Sequence, residues 1–387
     1  MLISVFLAVI GILSVIILTQ FFGYRLGGVI VVPVLAVYTC KNFFMLPLFL
    51  AGFIIAYLGL RYLQKNTMIY GREELVATLL LGSVLPVIGL FFMKGVGYDL
   101  TDVVFFGSIL PGLAAYNYSR IKPEYRMHDI MASVGIFVGL LAAAWVLVTP
   151  SISESIGYLT PPILFSSTSD LAVMKNAVVD IQPVPAMIDR FSAFVLFMVS
   201  LVLSEFVRKS TGIRVGVVSM AILAIFSLEN RWFFLLYFVN LFVSYFGIVM
   251  IQKATLVYGR NLIGLGACIS LMLTVPFIFL FPVSRGLSVF FLGLIAGLNA
   301  YNLHVTAPAE RKLFIPLQIA LLAPLIALAA ALGEGQPQGL FHEFGTFQLL
   351  IVVLGAAISI AFVKYNWVSR PLDEHVWNAS LFSEEDE

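Results

Sequence analysis

Charge is what this chain has least of. Asp, Glu, Lys and Arg make up 11% of its 387 residues, against about 25% in a typical soluble domain. So few charges cannot solvate a globular surface, which excludes an ordinary soluble enzyme. The charges present nearly cancel to a net +1, which leaves no global field for a nucleic acid. Two cysteines, Cys40 and Cys268, cannot build a disulfide framework and read as buried apolar thiols. The four histidines, His128, His304, His342 and His375, fall in no metal-binding spacing. There is no Walker loop, nucleophile elbow or CxxC pair either. The sequence therefore assigns no catalytic residue, no metal ligand and no cofactor. Carboxylates inside apolar runs are almost missing. Glu205 approaches the end of one run, and Glu73 and Glu74 open another, where a helix N-terminus favours negative charge anyway. A proton-coupled pump usually places an acid mid-membrane, so active transport is disfavoured.

What is abundant is apolar surface, 61% of the residues, and its natural solvent is lipid. Crossing a hydrocarbon layer of about 30 Å takes about 20 helical residues. Long apolar runs at 2–22, 42–60, 73–93, 130–149, 191–207, 232–251, 261–282, 313–332 and 346–364 meet that length. Shorter runs lie at 28–40, 102–117, 215–228 and 288–302, and these read as short, broken or re-entrant helices. The runs are continuously apolar rather than alternating, which excludes an outer-membrane barrel. The expected fold is all-α, a polytopic transmembrane bundle of about thirteen segments. In that arrangement most basic residues share the cytoplasmic side, the N-terminus lies outside, and the acidic tail 365–387 lies inside.

The chain also reads as two parallel tandem repeats. Gln64 to Arg72, QKNTMIYGR, recurs as Gln252 to Arg260, QKATLVYGR. Phe105 to Asn117, FFGSILPGLAAYN, recurs as Phe290 to Asn302, FFLGLIAGLNAYN, and Gly23-Tyr24-Arg25-Leu26-Gly27 as Gly212-Ile213-Arg214-Val215-Gly216. The order is the same, and the offset drifts only from 189 to 185. The expected organisation is repeat one at 1–149, an external linker loop at 150–190, repeat two at 191–332, an extra transmembrane helix within 333–364, and the tail. An even number of crossings per repeat makes the two parallel. The linker has two readings: a solvated connection, or an external docking or exit surface suggested by its length.

Val31-Val32-Pro33 in a glycine-bearing run, Tyr70-Gly71-Arg72 opening a long helix, and Leu110 to Asn117 (LPGLAAYN) together resemble the PgsC/CapC family, the polytopic subunits of bacterial poly-gamma-glutamate synthesis. The resemblance covers the first repeat and, more weakly, the second, where Ile222 replaces Pro33 and Ala296 replaces Pro111. It implies an inner-membrane subunit of a capsule-type polymer synthesis and export system. Its implied partners are a cytoplasmic ATP-dependent amide ligase of the Mur-ligase type, a membrane-anchored accessory subunit and the anionic polyglutamate. The subunit itself would act as scaffold and conduit.

Several residues then become candidates for polymer or partner binding. Lys65, Tyr70 and Arg72, with their counterparts Lys253, Tyr258 and Arg260, place positive charge where a long helix begins. They serve either as snorkelling anchors or as charge-assisted docking points for carboxylates. Pro111 and Gly112, followed by Tyr116 and Asn117 and matched by Asn302, mark a segment that is either a broken-helix site or a close helix contact. Arg25 and Arg214 reach headgroups or line the mouth of a duplicated cavity. A stand-alone small-solute transporter and a membrane-bound acyl or peptidyl transferase remain alternatives.

Overall fold

The computed structural model describes residues 1–69, 71, 73–83, 109–179, 188, 190–283, 285–333, 339 and 345–366. Of the candidates above, Tyr70 and Arg72 lie outside the described residues, as do the run 84–108 and the tail 367–387. Every regular element among the described residues is helical.

The first unit comprises α1 (Leu2–Phe22), α2 (Val31–Lys41), α3 (Met45–Asn66), α4 (73–83), α5 (Ile109–Ser119) and α6 (Arg126–Leu147). Two short helices follow, α7 (Pro150–Ile156) and α8 (Asp170–Met174). The second unit comprises α9 (Arg190–Thr211), α10 (Val217–Glu229), α11 (Trp232–Thr255), α12 (Arg260–Leu280), α13 (Gly286–Val305) and α14 (Arg311–Leu332), with α15 (Thr346–Asn366) packed on α14.

Among the described residues, eight helices are long and apolar enough to cross a membrane: α1, α3, α6 with its preceding turn, and α11 to α15. This is a multi-pass membrane protein. Its outward faces carry Phe6, Ile17, Leu58, Val138, Phe246, Met272 and Ile358, an apolar exterior that only lipid can solvate. α2 and α10 are short, at 11 and 13 residues, in keeping with the expectation for 28–40 and 215–228. The run at 288–302 is not short. It sits inside α13, a continuous helix of 20 residues, because the polar groups that limit the apolar run are absorbed by the helix. Asn302 Nδ2 donates to Asn299 Oδ1 one turn back, and the Thr306 hydroxyl donates to the Asn302 carbonyl.

Local chemistry sets the helix ends, and it does so alike in the two units. α1 stops at Gly23 (φ 70°) and α9 at Gly212 (φ 72°), the left-handed C-terminal position that glycine occupies without strain. α2 turns into α3 through Asn42, whose Oδ1 accepts the Phe44 N–H at 2.9 Å. α10 turns into α11 through Asn230, whose Oδ1 accepts the Trp232 N–H at 3.0 Å. Packing follows the same scheme. In the first unit α1 touches α2 and α6, α2 also touches α3, α5 and α6, and α3 touches α5. In the second, α9 touches α10 and α14, α10 also touches α11, α13 and α14, and α11 touches α13. Glycine permits the closest approaches. A Cβ on Gly112 would lie 2.7 Å from Leu79 Cα, and one on Gly297 would lie 2.7 Å from Ala267 Cα. These small-residue contacts stand in for the hydrophobic driving force that lipid removes between helices. For Pro111 and Gly112 the packing role is the one observed. Pro111 lies in the first described turn of α5, 3.1 Å from where a Gly52 Cβ would sit.

The two units meet crosswise. α1 packs on α12, with Asn261 Nδ2 donating to Gln20 Oε1 at 2.6 Å. Lys209 of α9 reaches Glu73 of α4 at 3.4 Å. Lys209 holds the place in the second unit that Gln20 holds in the first, and Glu73 the place that Asn261 holds in the second.

Helices run alternately between two ends. One end gathers the loops 23–30, 120–125, 212–216, 256–259 and 306–310 with Gly71, and most of the described basic residues. Lys41, Lys175, Arg231 and Arg285 lie towards the other end. There part of the segment 150–179 is packed against both units while other residues, such as Tyr158 and Met174, are exposed. Ile163, Leu164, Phe165 and Leu171 are buried, Asp170 Oδ2 accepts the Phe43 N–H at 2.8 Å, and Ser169 Oγ donates to Cys40 O. A Cβ on Gly286 of the second unit would meet Ile163 at 3.1 Å, so the segment touches both units.

The crosswise contact has a direct check. In a chain with Cys40→Ala and Cys268→Ala, the pairs Gln20→Cys/Asn261→Cys and Glu73→Cys/Lys209→Cys are expected to cross-link on mild oxidation in membranes. Gln20→Cys/Phe281→Cys, a helix length apart, is not. Absence of both cross-links would contradict this packing.

Candidate functional site

The site at the basic end is built on an unwound stretch of backbone. Between α1 and α2 the chain leaves helical geometry, with Leu26 at φ 50°, Gly27 at φ 66° and Gly28 at φ 116°. A buried leucine in the left-handed region is strained and needs partners to hold it. Asp129, 2% exposed in the first turn of α6, supplies them. Its carboxylate accepts the Arg25 N–H at 2.6 Å and the Leu26 N–H at 3.0 and 3.1 Å. Asn117 of α5 takes the next group, donating from Nδ2 to Gly27 O at 3.1 Å and to Leu113 O at 2.9 Å. Gly28 is required because a Cβ there would lie 2.9 Å from Asn117 Nδ2. Asn117 is thus a positioning residue for the Arg25 loop.

Tyr116 points to the same end, with its hydroxyl donating to Gly71 O at 3.3 Å. The Arg120 guanidinium lies over its ring, 5.4 Å from the centroid, and pairs with Glu74, whose other oxygen accepts from Gln64 Nε2 at 3.1 Å. Into this corner the second unit inserts the start of α12. Asn261 is bonded to Gln20, and a Cβ on Gly264 would lie 2.5 Å from Val29, so Arg260 sits beside the Arg25 loop. Arg25, Tyr116 and Asp129 all act electrostatically on Arg260. Burial, and then the positive charge of Arg120, hold the Arg25 pKa below the usual arginine value, with Tyr116 and Asp129 acting in the opposite sense. Arg25 and Arg260 are both half-buried, and no carboxylate side chain forms an ion pair with either among the described residues. Three guanidiniums thus face two carboxylates that are already engaged, one by backbone amides and one by Arg120. The local field favours a bound anion.

The remaining candidates divide. Arg214 is exposed and acts on half-buried Tyr301, the counterpart of Tyr116. Lys65, Lys253 and Tyr258 are exposed at helix ends, positions that suit contact with headgroups or a partner. Asn302 bonds Asn299 and belongs to a buried network in the second unit. There Tyr237 OH accepts from Asn299 Nδ2 at 2.8 Å and from Gln318 Nε2 at 2.9 Å, while Gln318 Nε2 also reaches Val215 O at 3.3 Å. Asn240 Oδ1, Ser244 Oγ, Ser270 Oγ and Gln318 Oε1 are buried nearby without a partner. Neither Asp129 nor this network is singled out by motif reading. Asp129 stands one residue before the apolar run at 130–149, and amides within apolar runs are the signal for the network.

Val31-Val32-Pro33, Gly71 and Leu110 to Asn117 all fall within the stretch that a known family matches. Residues 10–127 match the family model described as Capsule biosynthesis CapC. The CapC segment runs from within α1 to the start of α6, and so contains the Arg25 loop, Tyr116, Asn117 and Arg120. The match covers most of the first unit, and the apolar helices make the chain a multi-pass membrane protein. No curated protein and no solved structure matches the chain.

The anchoring role of Asp129 is measurable. Asp129→Ala leaves the buried Leu26 N–H and the partly buried Arg25 N–H without an acceptor, a loss of about 1–3 kcal/mol. The expected result is a lower unfolding midpoint in detergent. Ser133→Ala, which removes only a hydroxyl donating to its own helix at Asp129 O, is expected to stay near wild type.

Proposed function

We propose that this chain is the inner-membrane subunit of a poly-gamma-glutamate-type synthesis and export complex. In this reading its basic end faces the cytoplasm, as the positive-inside rule favours, with the N-terminus outside and the acidic tail inside. A cytoplasmic ATP-dependent amide ligase of the Mur-ligase type docks at the loops 61–72, 118–129, 252–260 and 303–312, next to a membrane-anchored accessory subunit. The growing chain leaves the ligase as a row of carboxylates and is guided by Arg25, Arg260, Arg72 and Arg214. The two units descend from one tandem duplication, a reading supported by the matching helix ends and packing pairs.

The observation that carries this reading is the convergence of Arg25, Arg260 and Arg120 on one corner of the CapC segment where both nearby carboxylates are occupied. A guanidinium presents a planar fork suited to carboxylate, and neutral polymers have no use for it. The test is made in cells that produce the polymer. Arg25→Gln/Arg260→Gln is expected to lower polymer yield at least tenfold while the protein still inserts in the membrane. Arg72→Gln/Arg260→Gln is expected to do the same. Normal polymer in both variants would sink the reading.

The buried amide network of the second unit favours one other reading, a permease for a small polar solute. Unpartnered Asn240 Oδ1 and Gln318 Oε1 supply the kind of polar interior such a protein needs. The two readings separate on the purified chain reconstituted in liposomes. A scaffold alone shows no uptake or efflux of small polar solutes above protein-free liposomes. A permease shows transport that falls when Asn240→Leu or Gln318→Leu is introduced.

A further inference from the structure

We propose that the basic end holds one composite oxyanion site, formed by Arg25 of the first unit and Arg260 of the second, which binds adjacent carboxylates of a polyanion and is incomplete without both units. The inference rests on the polymer reading only for the choice of carboxylate, since the site itself follows from the packing.

The geometry is asymmetric in a useful way. Arg25 is fixed at the backbone, because Asp129 holds its N–H at 2.6 Å, so the position of its Cα is set by α6 and not by the side chain. Arg260 is the first residue of α12, and its neighbours Asn261 and Gly264 lock that helix start against Gln20 and Val29. Both guanidiniums therefore stand on rigid elements, and the costly step of bringing two like charges together is made by folding rather than by the ligand. Tyr116 is held in turn by Gly71 and by the Arg120 guanidinium above its ring. An anion arriving here releases the repulsion between Arg25 and Arg260 as well as forming hydrogen bonds, which is the source of its affinity. The sequence repeat pairs Arg25 with Arg214 as equivalents. The structure instead pairs Arg25 with Arg260, because the units meet crosswise, while Arg214 stands with Tyr301 in a separate place.

A double-mutant cycle separates these pairings. The full-length protein in phosphatidylcholine nanodiscs is titrated with a fluorescent gamma-linked glutamate decamer. Arg25→Gln and Arg260→Gln are each expected to weaken binding about tenfold, and the double variant by far less than the product. Arg25→Gln/Arg214→Gln is expected to be multiplicative. Arg25→Lys, which keeps charge but loses the fork, is expected to fall between wild type and Arg25→Gln. Folding is checked in each variant by the Gln20→Cys/Asn261→Cys cross-link. Unchanged affinity in Arg260→Gln with that cross-link intact overturns the proposal, as does a multiplicative Arg25/Arg260 pair. Two competition arms identify the source of the oxyanion: inorganic phosphate, and discs containing phosphatidylglycerol. Displacement of the decamer by phosphatidylglycerol alone assigns the site to lipid headgroups and overturns the polyanion. Coupled binding in the discs, with normal polymer in cells carrying Arg25→Gln/Arg260→Gln, upholds the site and counts against the guidance reading.

Discussion

A buried, unwound stretch of backbone survives only where protein groups take over the hydrogen bonds that water would otherwise make. The stretch 23–30 and its counterpart 212–216 are such places, and the surrounding helices are arranged to serve them. In the first unit Asp129 accepts two N–H groups and Asn117 donates to the carbonyl that follows. In the second, Gln318 donates to Val215 O, and Gly216 lies so close to the Asn299 side chain that a Cβ would collide with it. Each loop is therefore bound to the sixth helix of its unit, and each lies against the fifth. That is why α6 and α14 occupy matching positions although their sequences have little in common there.

The same loops set the electrostatics. An arginine on a flexible surface would merely reach outward, whereas Arg25 projects from a backbone tied down by a buried carboxylate. Crosswise packing then adds a positive charge from the other unit. Like charges at short range are unfavourable unless something else fixes them. Here that role falls to the small-residue contacts of α12, where Gly264 and Gly266 admit neighbours that a larger side chain would exclude.

Much of this arrangement can be read in the residues. Apolar run length identifies the long helices, and the spacing of Gly23, Gly27, Asn117 and their counterparts marks the elements that recur. The resemblance carried by Val31-Val32-Pro33 and Leu110 to Asn117 leads to CapC. Three things cannot be read there. The extent of α13 depends on Asn302 donating to Asn299 Oδ1 and on Thr306 donating back to Asn302 O at the helix end, which a count of apolar residues does not register. The packed part of 150–179 depends on long-range partners such as Phe43 and Gly286. Most of all, a repeat aligns equivalent residues, and equivalent residues need not touch. Arg25 and Arg214 match in sequence, yet contact across a crosswise interface joins non-equivalent positions.

Among the described residues, the buried polar network of α11, α13 and α14 has no counterpart in the first unit. At the matching positions of the first unit stand Phe49 for Tyr237, Gly52 for Asn240, Ala114 for Asn299 and Ser133 for Gln318. In an assembly of two identical chains every substitution appears twice, so a polar interior in one half would force a polar interior in the other. Joining both halves in one polypeptide removes that constraint of identity. One half is free to keep apolar or small residues at these positions while the other carries amides there, and the molecule gains a direction that a symmetric pair does not possess.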